Sequence, residues 1–111
     1  MTPEFQGFVE AQLAAFRLFA AQREFSSCRL VHYTGVETPN AKDVALGEVE
    51  AEIAGCLQEG FLVDWKTRAQ RLFISVQEPG FSPPAWDKVF AEQALVDVAA
   101  LLRAAGVEDE D

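Results

Sequence analysis

The chain has few of the residues that build catalytic or metal centres, since its 111 residues include one histidine and two cysteines. Cys28 and Cys56 form no CxxC pair, and Cys28 stands about 13 Å from His32 along a predicted strand, so neither a zinc site nor a thiol–imidazole pair is expected. The glycines are isolated and form no phosphate-binding motif. We therefore predict no catalytic residue, no bound metal and no cofactor.

Positive charge is also scarce. Nine lysines and arginines face 18 aspartates and glutamates, which gives a net charge of −9. Such a surface repels phosphate and anionic lipid, so we expect neither nucleic acid nor a membrane surface as partner, while a protein with a basic patch is permitted. No apolar run approaches the ~18 residues that cross a bilayer, and no signal-peptide pattern is present. These absences predict a cytoplasmic protein.

The apolar half of the composition, with 11% aromatic residues, is enough for one hydrophobic core. We predict a single α+β domain over residues 1–107, followed by an acidic C-terminal tail at 108–111. Four phenylalanines recur at helical spacing after Thr2 and Pro3, which predicts a capped helix over residues 3–24. Residues 28–34 are rich in β-forming side chains and predict a strand, and 35–43 predict a loop.

Residues 45–57 fit two patterns. As a strand, they alternate apolar and acidic side chains, keep Glu48, Glu50 and Glu52 in water, and avoid two glycines inside a helix. A hairpin at 58–60 would then pair them with residues 61–68, which a second hairpin pairs with 71–76. As a helix, the segment has an apolar stripe at Leu46, Val49, Ile53 and Leu57. We favour the strand and keep the helix as the alternative.

The last element is a predicted helix that Ser82 caps and Gly106 ends. Its broad apolar stripe is expected to face the core and comprises Phe90, Ala91, Ala94, Leu95, Val98, Leu101, Leu102 and Ala105. The predicted order is therefore α-β-β-β-β-α, with a four-stranded antiparallel sheet and both helices on one face. If residues 45–57 are helical, the order becomes α-β-α-β-β-α.

Apolar residues left over from this core indicate two interaction surfaces. The uncovered face of the sheet predicts a partner-binding surface in which apolar side chains lie among acids: Leu62, Phe73, Tyr33, Glu50, Glu52 and Asp64. The far sides of the two helices predict a homodimer interface of Leu18, Phe25, Val89 and Val96, with Asp97 as a rim charge.

These features favour a non-enzymatic acidic module that binds, neutralises or chaperones a protein partner, as immunity proteins and inhibitors do by electrostatic steering. One alternative is a dimeric protein of the secretion-chaperone type, which holds an unfolded client along apolar grooves. A second is a metal-dependent nuclease that uses Asp64 and Lys66, an acid-x-Lys element on a strand, together with Glu50 or Glu52.

Overall fold

The computed structural model describes residues 2–33, 40–80 and 84–106. The predicted cap at Ser82 and the acidic tail 108–111 lie outside these residues. The described residues form three α-helices and four strands, which are α1 (Pro3–Ala21), β1 (Ser27–Tyr33), β2 (Asn40–Val44), α2 (Val49–Gln58), β3 (Leu62–Arg68), β4 (Arg71–Gln77) and α3 (Trp86–Ala104). The α+β class, the four-stranded sheet and the helices at both ends are confirmed.

The sheet has the strand order β2-β1-β4-β3 and is mixed. The outer pairs are antiparallel hairpins, whereas the central strands β1 and β4 run parallel, with Ser27 opposite Arg71. The prediction of a purely antiparallel sheet is therefore wrong. Parallel strands need a crossover connection. The connection from β1 to β4 contains β2, α2 and β3.

The helices pack on both faces of the sheet, so the prediction that both terminal helices cover one face is wrong. On one face, α1 and α2 enclose the main core, whose fully buried side chains include Ile53, Leu72, Ile74 and Val76. The opposite face carries the alternate residues of β1 and β4. Helix α3 covers them, and the ring of Phe90 meets that of Phe73 edge-on with 5.1 Å between centroids. Because β4 is central and buried on both faces, six of its seven residues are buried.

Helix α1 forms as its sequence pattern predicts. The hydroxyl of Thr2 accepts a 3.1 Å hydrogen bond from the Phe5 amide, and Pro3 occupies the first turn. Most of the stripe points at the core, with Val9 and Phe16 buried and Phe16 edge-on to Trp65 at 5.3 Å, but Phe8 is 42% exposed. The helix ends three residues before the predicted boundary.

Residues 49–58 are helical, which contradicts the preferred strand and confirms the alternative helix for that segment. Val49, Ile53 and Leu57 form its buried stripe. Gly60, at φ +92, ends the helix through a hydrogen bond from the Phe61 amide to the Cys56 carbonyl. The glycine signal assigned to a hairpin therefore marks a helix end, and the acids reach water on the outer side of this helix.

Two further differences concern the strands. Residues 40–43, which were predicted as part of a loop, form edge strand β2 together with Val44; this strand pairs with β1 and leaves most of its side chains exposed. The β3–β4 hairpin is predicted correctly, but Trp65 pairs with Ile74 instead of Leu72. Its turn is the two residues Ala69 and Gln70, both at positive φ. The shift of two residues leaves each side chain on its predicted face.

Helix α3 presents to the sheet a different stripe from the predicted one. Val89, Phe90 and Gln93 are its buried residues, so only Phe90 of the predicted core stripe is correct. Four residues of that stripe are exposed large hydrophobics: Leu95, Val98, Leu101 and Leu102. Across the three described segments, no helix has the length and apolarity that a membrane span requires.

Candidate functional site

A groove of about 680 Å³ lies between α2 and the β1–β2 half of the sheet. We call it the α2 groove. It is lined by Leu30, His32, Asn40, Ala41, Lys42, Glu48, Ala51, Glu52, Gly55, Cys56, Glu59 and Phe61.

The groove follows from the way the helices cover the sheet. Val49, Ile53 and Leu57 fix α2 on the main core, while α1 contributes Phe16 and Phe19 around Trp65 on the β3 side. Strand β2 extends the sheet beyond β1 and is exposed along most of its length. The side of α2 next to its buried stripe faces strand β2. The small residues Ala51 and Gly55 on that side leave the space between helix and strand open.

Charge and apolarity are separated within the groove. Buried Leu30 and half-buried Phe61 supply apolar surface, whereas α2 and the residues at its two ends supply the carboxylates of Glu48, Glu52 and Glu59. Lys42 is the cation among the lining residues, and its Nζ lies 3.1 Å from Glu52. The carboxylates of Glu48 and Glu59 remain as acceptors for an incoming cation.

His32 lies at the Phe61 end of the groove. Its ring meets that of Phe61 edge-on, with 4.7 Å between the centroids. Its Nε2 atom is buried and has no hydrogen-bond partner in the part of the chain that the structure describes. A buried polar atom without a partner is costly, so this nitrogen is an unsatisfied polar group behind the groove wall.

The Cys56 thiol lines the α2 groove, so its rate of chemical modification reports on access to the groove. Burial raises its pKa, and Glu52 and Glu59 add to the effect. Cys28 is deeper in the core, where burial raises its pKa to about 11. Since the thiolate is the reactive form, we expect slow modification of Cys56 that accelerates at alkaline pH, and none of Cys28 in the folded protein. Mass spectrometry after timed iodoacetamide treatment checks this order, and equal labelling of both thiols would contradict it.

The structure divides the predicted partner-binding residues between the two faces of the sheet. Phe73 and Tyr33 are buried on the face that α3 covers, at 4% and 6% exposure. Leu62 and Asp64 belong to the same face and are exposed. The prediction that this face is uncovered is therefore wrong, because α3 packs there.

Glu50 and Glu52 lie on α2, on the other side of the sheet from Asp64. Glu50 forms a bidentate pair with Arg17 of α1, at 2.9 and 3.1 Å, which lowers the pKa of Glu50. Glu52 lines the α2 groove. Of the six predicted partner-binding residues, Glu52 alone contributes to this site.

The predicted dimer residues are also separated. Val89 is 1% exposed because it packs on the sheet, and half-buried Phe25 stacks on Phe19. Leu18 and Val96 are exposed at 67% and 47%, on α1 and α3 respectively. Asp97, predicted as a rim charge, instead accepts hydrogen bonds from Arg29 and Arg71 and joins α3 to the sheet.

The carboxylates that a nuclease would need do not converge. Asp64 accepts hydrogen bonds from its neighbouring Trp65 amide at 2.9 Å and from the Trp86 indole at 3.3 Å. Glu50 and Glu52, the proposed companions, lie across the sheet. Within residues 2–33, 40–80 and 84–106, no three His, Cys, Asp or Glu side chains are grouped so that they could share a metal ion.

Sequence reasoning missed the groove because it assigned its two walls to other structures. The helical alternative for residues 45–57, with its apolar stripe at Leu46, Val49, Ile53 and Leu57, implies that Glu48 and Glu52 lie on a different side of the helix from that stripe. This pattern was the feature of the sequence that could have indicated the helical wall of the groove. No comparable pattern indicated the second wall, strand β2.

Comparisons of the chain with protein-family models, with curated proteins and with solved structures gave no match.

Proposed function

We propose that this protein is a non-enzymatic, acidic protein-binding module that holds a basic segment of a partner protein in the α2 groove. The observation that carries the proposal is the lining of the groove, in which three carboxylates stand over apolar surface. Lysine and arginine side chains match such a lining, because their alkyl stems cover apolar atoms while their charged ends reach carboxylates. The net charge of −9 adds long-range attraction for the same partner.

The geometry favours a segment of chain over a small molecule. The groove runs beside the edge strand β2, so an extended peptide can place one or two basic side chains between Lys42 and Glu59. Lys42 already pairs with Glu52 and would have to yield that carboxylate to a competing cation. An immunity or inhibitor role, in which the module masks a basic segment of its partner, fits this chemistry best.

The test uses two fluorescent peptides of equal length, one with alternating lysine and leucine and one with glutamate in place of each lysine. We expect the basic peptide to bind and the acidic peptide not to bind. Replacing both Glu48 and Glu59 with glutamine should lower the affinity for the basic peptide by about tenfold, since two charge pairs are lost. The matched control is Glu4→Gln with Glu24→Gln, which removes the same charge from exposed positions of the α1 region.

Salt and thiol chemistry complete the test. Binding by the carboxylates should weaken steeply as ionic strength rises, and the bound peptide should slow the modification of Cys56. Binding that is indifferent to salt would instead favour the chaperone-type alternative, in which apolar contacts dominate. Equal affinity for both peptides, or equal losses in the two double variants, would refute the proposal.

A further inference from the structure

The outer side of α3 carries an apolar row that the rest of the chain leaves exposed. We define the α3 seam as Ala91, Leu95, Val98 and Leu102, whose spacing alternates between four and three residues. All four are exposed, and Leu95 reaches 71%. The seam lies opposite the buried Gln93, so it faces away from the sheet.

This spacing is the one that packs one helix along another. Apolar residues that recur every 3.5 positions are the ones through which helices pack along each other in coiled coils. Ala94 and Leu101 widen the seam on one side, and Leu101 is 70% exposed. The helix has 19 residues and is about 28 Å long, so all four residues of the α3 seam can contact one partner helix.

The C-terminal part of α3 has no other packing partner in the described structure. Residues 100–106 are all exposed, and the molecule measures 54 Å along its longest axis against 21 Å along its shortest. Its radius of gyration is 15.6 Å, whereas a compact domain of this length has about 13 Å. Exposed leucines on a projecting helix are typical of an association surface.

We propose that the α3 seam pairs with the same seam of a second copy, in antiparallel orientation around a twofold axis between Leu95 and Val98. A twofold axis there places Leu95 of each copy against Val98 of the other, and Ala91 against Leu102. Large residues then meet smaller ones along the whole contact, which allows the two helices to approach closely.

Charge selects the second copy and the antiparallel orientation. Lys88 lies one heptad before Leu95, in the N-terminal part of α3. An antiparallel pair brings the negative C-terminal end of each α3 dipole beside Lys88 and the positive N-terminal end of the other α3. It also places Glu92 near the level of Arg103 of the second copy. A parallel pair would bring like ends of the two helix dipoles together and Lys88 against Lys88.

Sedimentation equilibrium of the full chain over micromolar concentrations measures the association. We expect a dimer whose dissociation constant rises at least about 30-fold in Leu95→Glu or Leu102→Glu, as for a central interface residue. Both positions are exposed in the single chain, so circular dichroism should show an unchanged fold. The matched control is Leu18→Glu on α1, which has similar exposure and lies outside the α3 seam.

A charge exchange tests the orientation. Glu92→Arg and Arg103→Glu should each weaken the dimer, and the two together should restore it, because the pair then re-forms with reversed signs. A single-chain mass at every concentration, equal weakening by Leu95→Glu and Leu18→Glu, or a double exchange as weak as either single one would overturn the proposal. Peptide binding in the α2 groove should be unchanged in Leu95→Glu, so failure of one proposal is distinguishable from failure of the other.

Discussion

Ile53→Ala is expected to lower the free energy of unfolding by about 2–5 kcal/mol. Ile53 is completely buried in the middle of α2, within the core that α1, α2 and the sheet enclose. Removing its outer carbons loses their burial and leaves a cavity that the packed helices fill only in part. Urea unfolding followed by circular dichroism and by tryptophan fluorescence measures the change.

The same variant tests whether α2 supports the groove. Ile53 points away from the α2 groove, so the shape of that wall depends on it only through the position of the helix. The conservative control Ile53→Val should lose about 0.5–1.5 kcal/mol. A loss below about 1 kcal/mol in Ile53→Ala would show that residues 49–58 are not anchored as the structure has them.

Asp97→Ala is expected to destabilise the protein by about 2 kcal/mol. Asp97 accepts hydrogen bonds from Arg29 and Arg71, and the Arg29 side chain is only 12% exposed. Removal of the carboxylate leaves two guanidinium groups without their shared partner, one of them largely desolvated. The loss stays below that of a fully buried pair because Asp97 is 31% exposed.

Asp43 offers the matched control for this prediction. Its carboxylate accepts a 2.9 Å hydrogen bond from the same Arg29, but it is 76% exposed and lies on the edge strand. We expect Asp43→Asn to change the stability by less than about 0.5 kcal/mol, as for an ordinary surface pair. Equal effects of the two variants would contradict the role of Asp97 as the link between α3 and the sheet.

The pH dependence follows from the same contacts. Burial acts to raise the pKa of Asp97, but the hydrogen bonds from Arg71 and Arg29 outweigh it and lower the pKa. The stabilisation is therefore complete above the unfolded-state pKa of about 3.9 and is lost as the pH falls through the lowered folded-state pKa. Asp97→Ala should therefore reduce the loss of stability at acid pH, which urea unfolding at a series of pH values measures.

The sequence predicted correctly those helices and strands whose residue pattern fits only one kind of secondary structure. The phenylalanine spacing of α1 and the Thr2 cap specify a helix with one apolar side, and the structure agrees. The β3–β4 hairpin is similar, because alternation fixes the face of each strand even where the register shifts by two residues.

The remaining differences arise where one local pattern fits two structures. Gly60 at positive φ suits both a hairpin loop and a helix end, and only packing of Ile53 in the core decides between them. The apolar residues of α3 surround the helix, so hydropathy could not say which side meets the sheet. The polar contacts of Asp97 and Gln93 with Arg29 select that side, and they depend on residues distant in sequence.

The groove could not be predicted from the sequence because it is the part of the β1–β2 half of the sheet that α2 leaves uncovered. Its edge strand β2 has the composition of a loop, with Asn40, Lys42 and Asp43 among its five residues. It becomes a strand because β1 offers a row of backbone hydrogen-bonding groups beside it, which is a tertiary effect.

The parallel pairing of β1 with β4 also determines when the molecule can fold during synthesis. The first hairpin, β1–β2, leaves the ribosome early, but the neighbour that buries the other edge of β1 is the last strand of the sheet. Until residue 77 has emerged, the backbone of β1 presents an open edge to other nascent chains. We therefore expect the period between synthesis of the two hairpins to favour misassembly of the nascent chain.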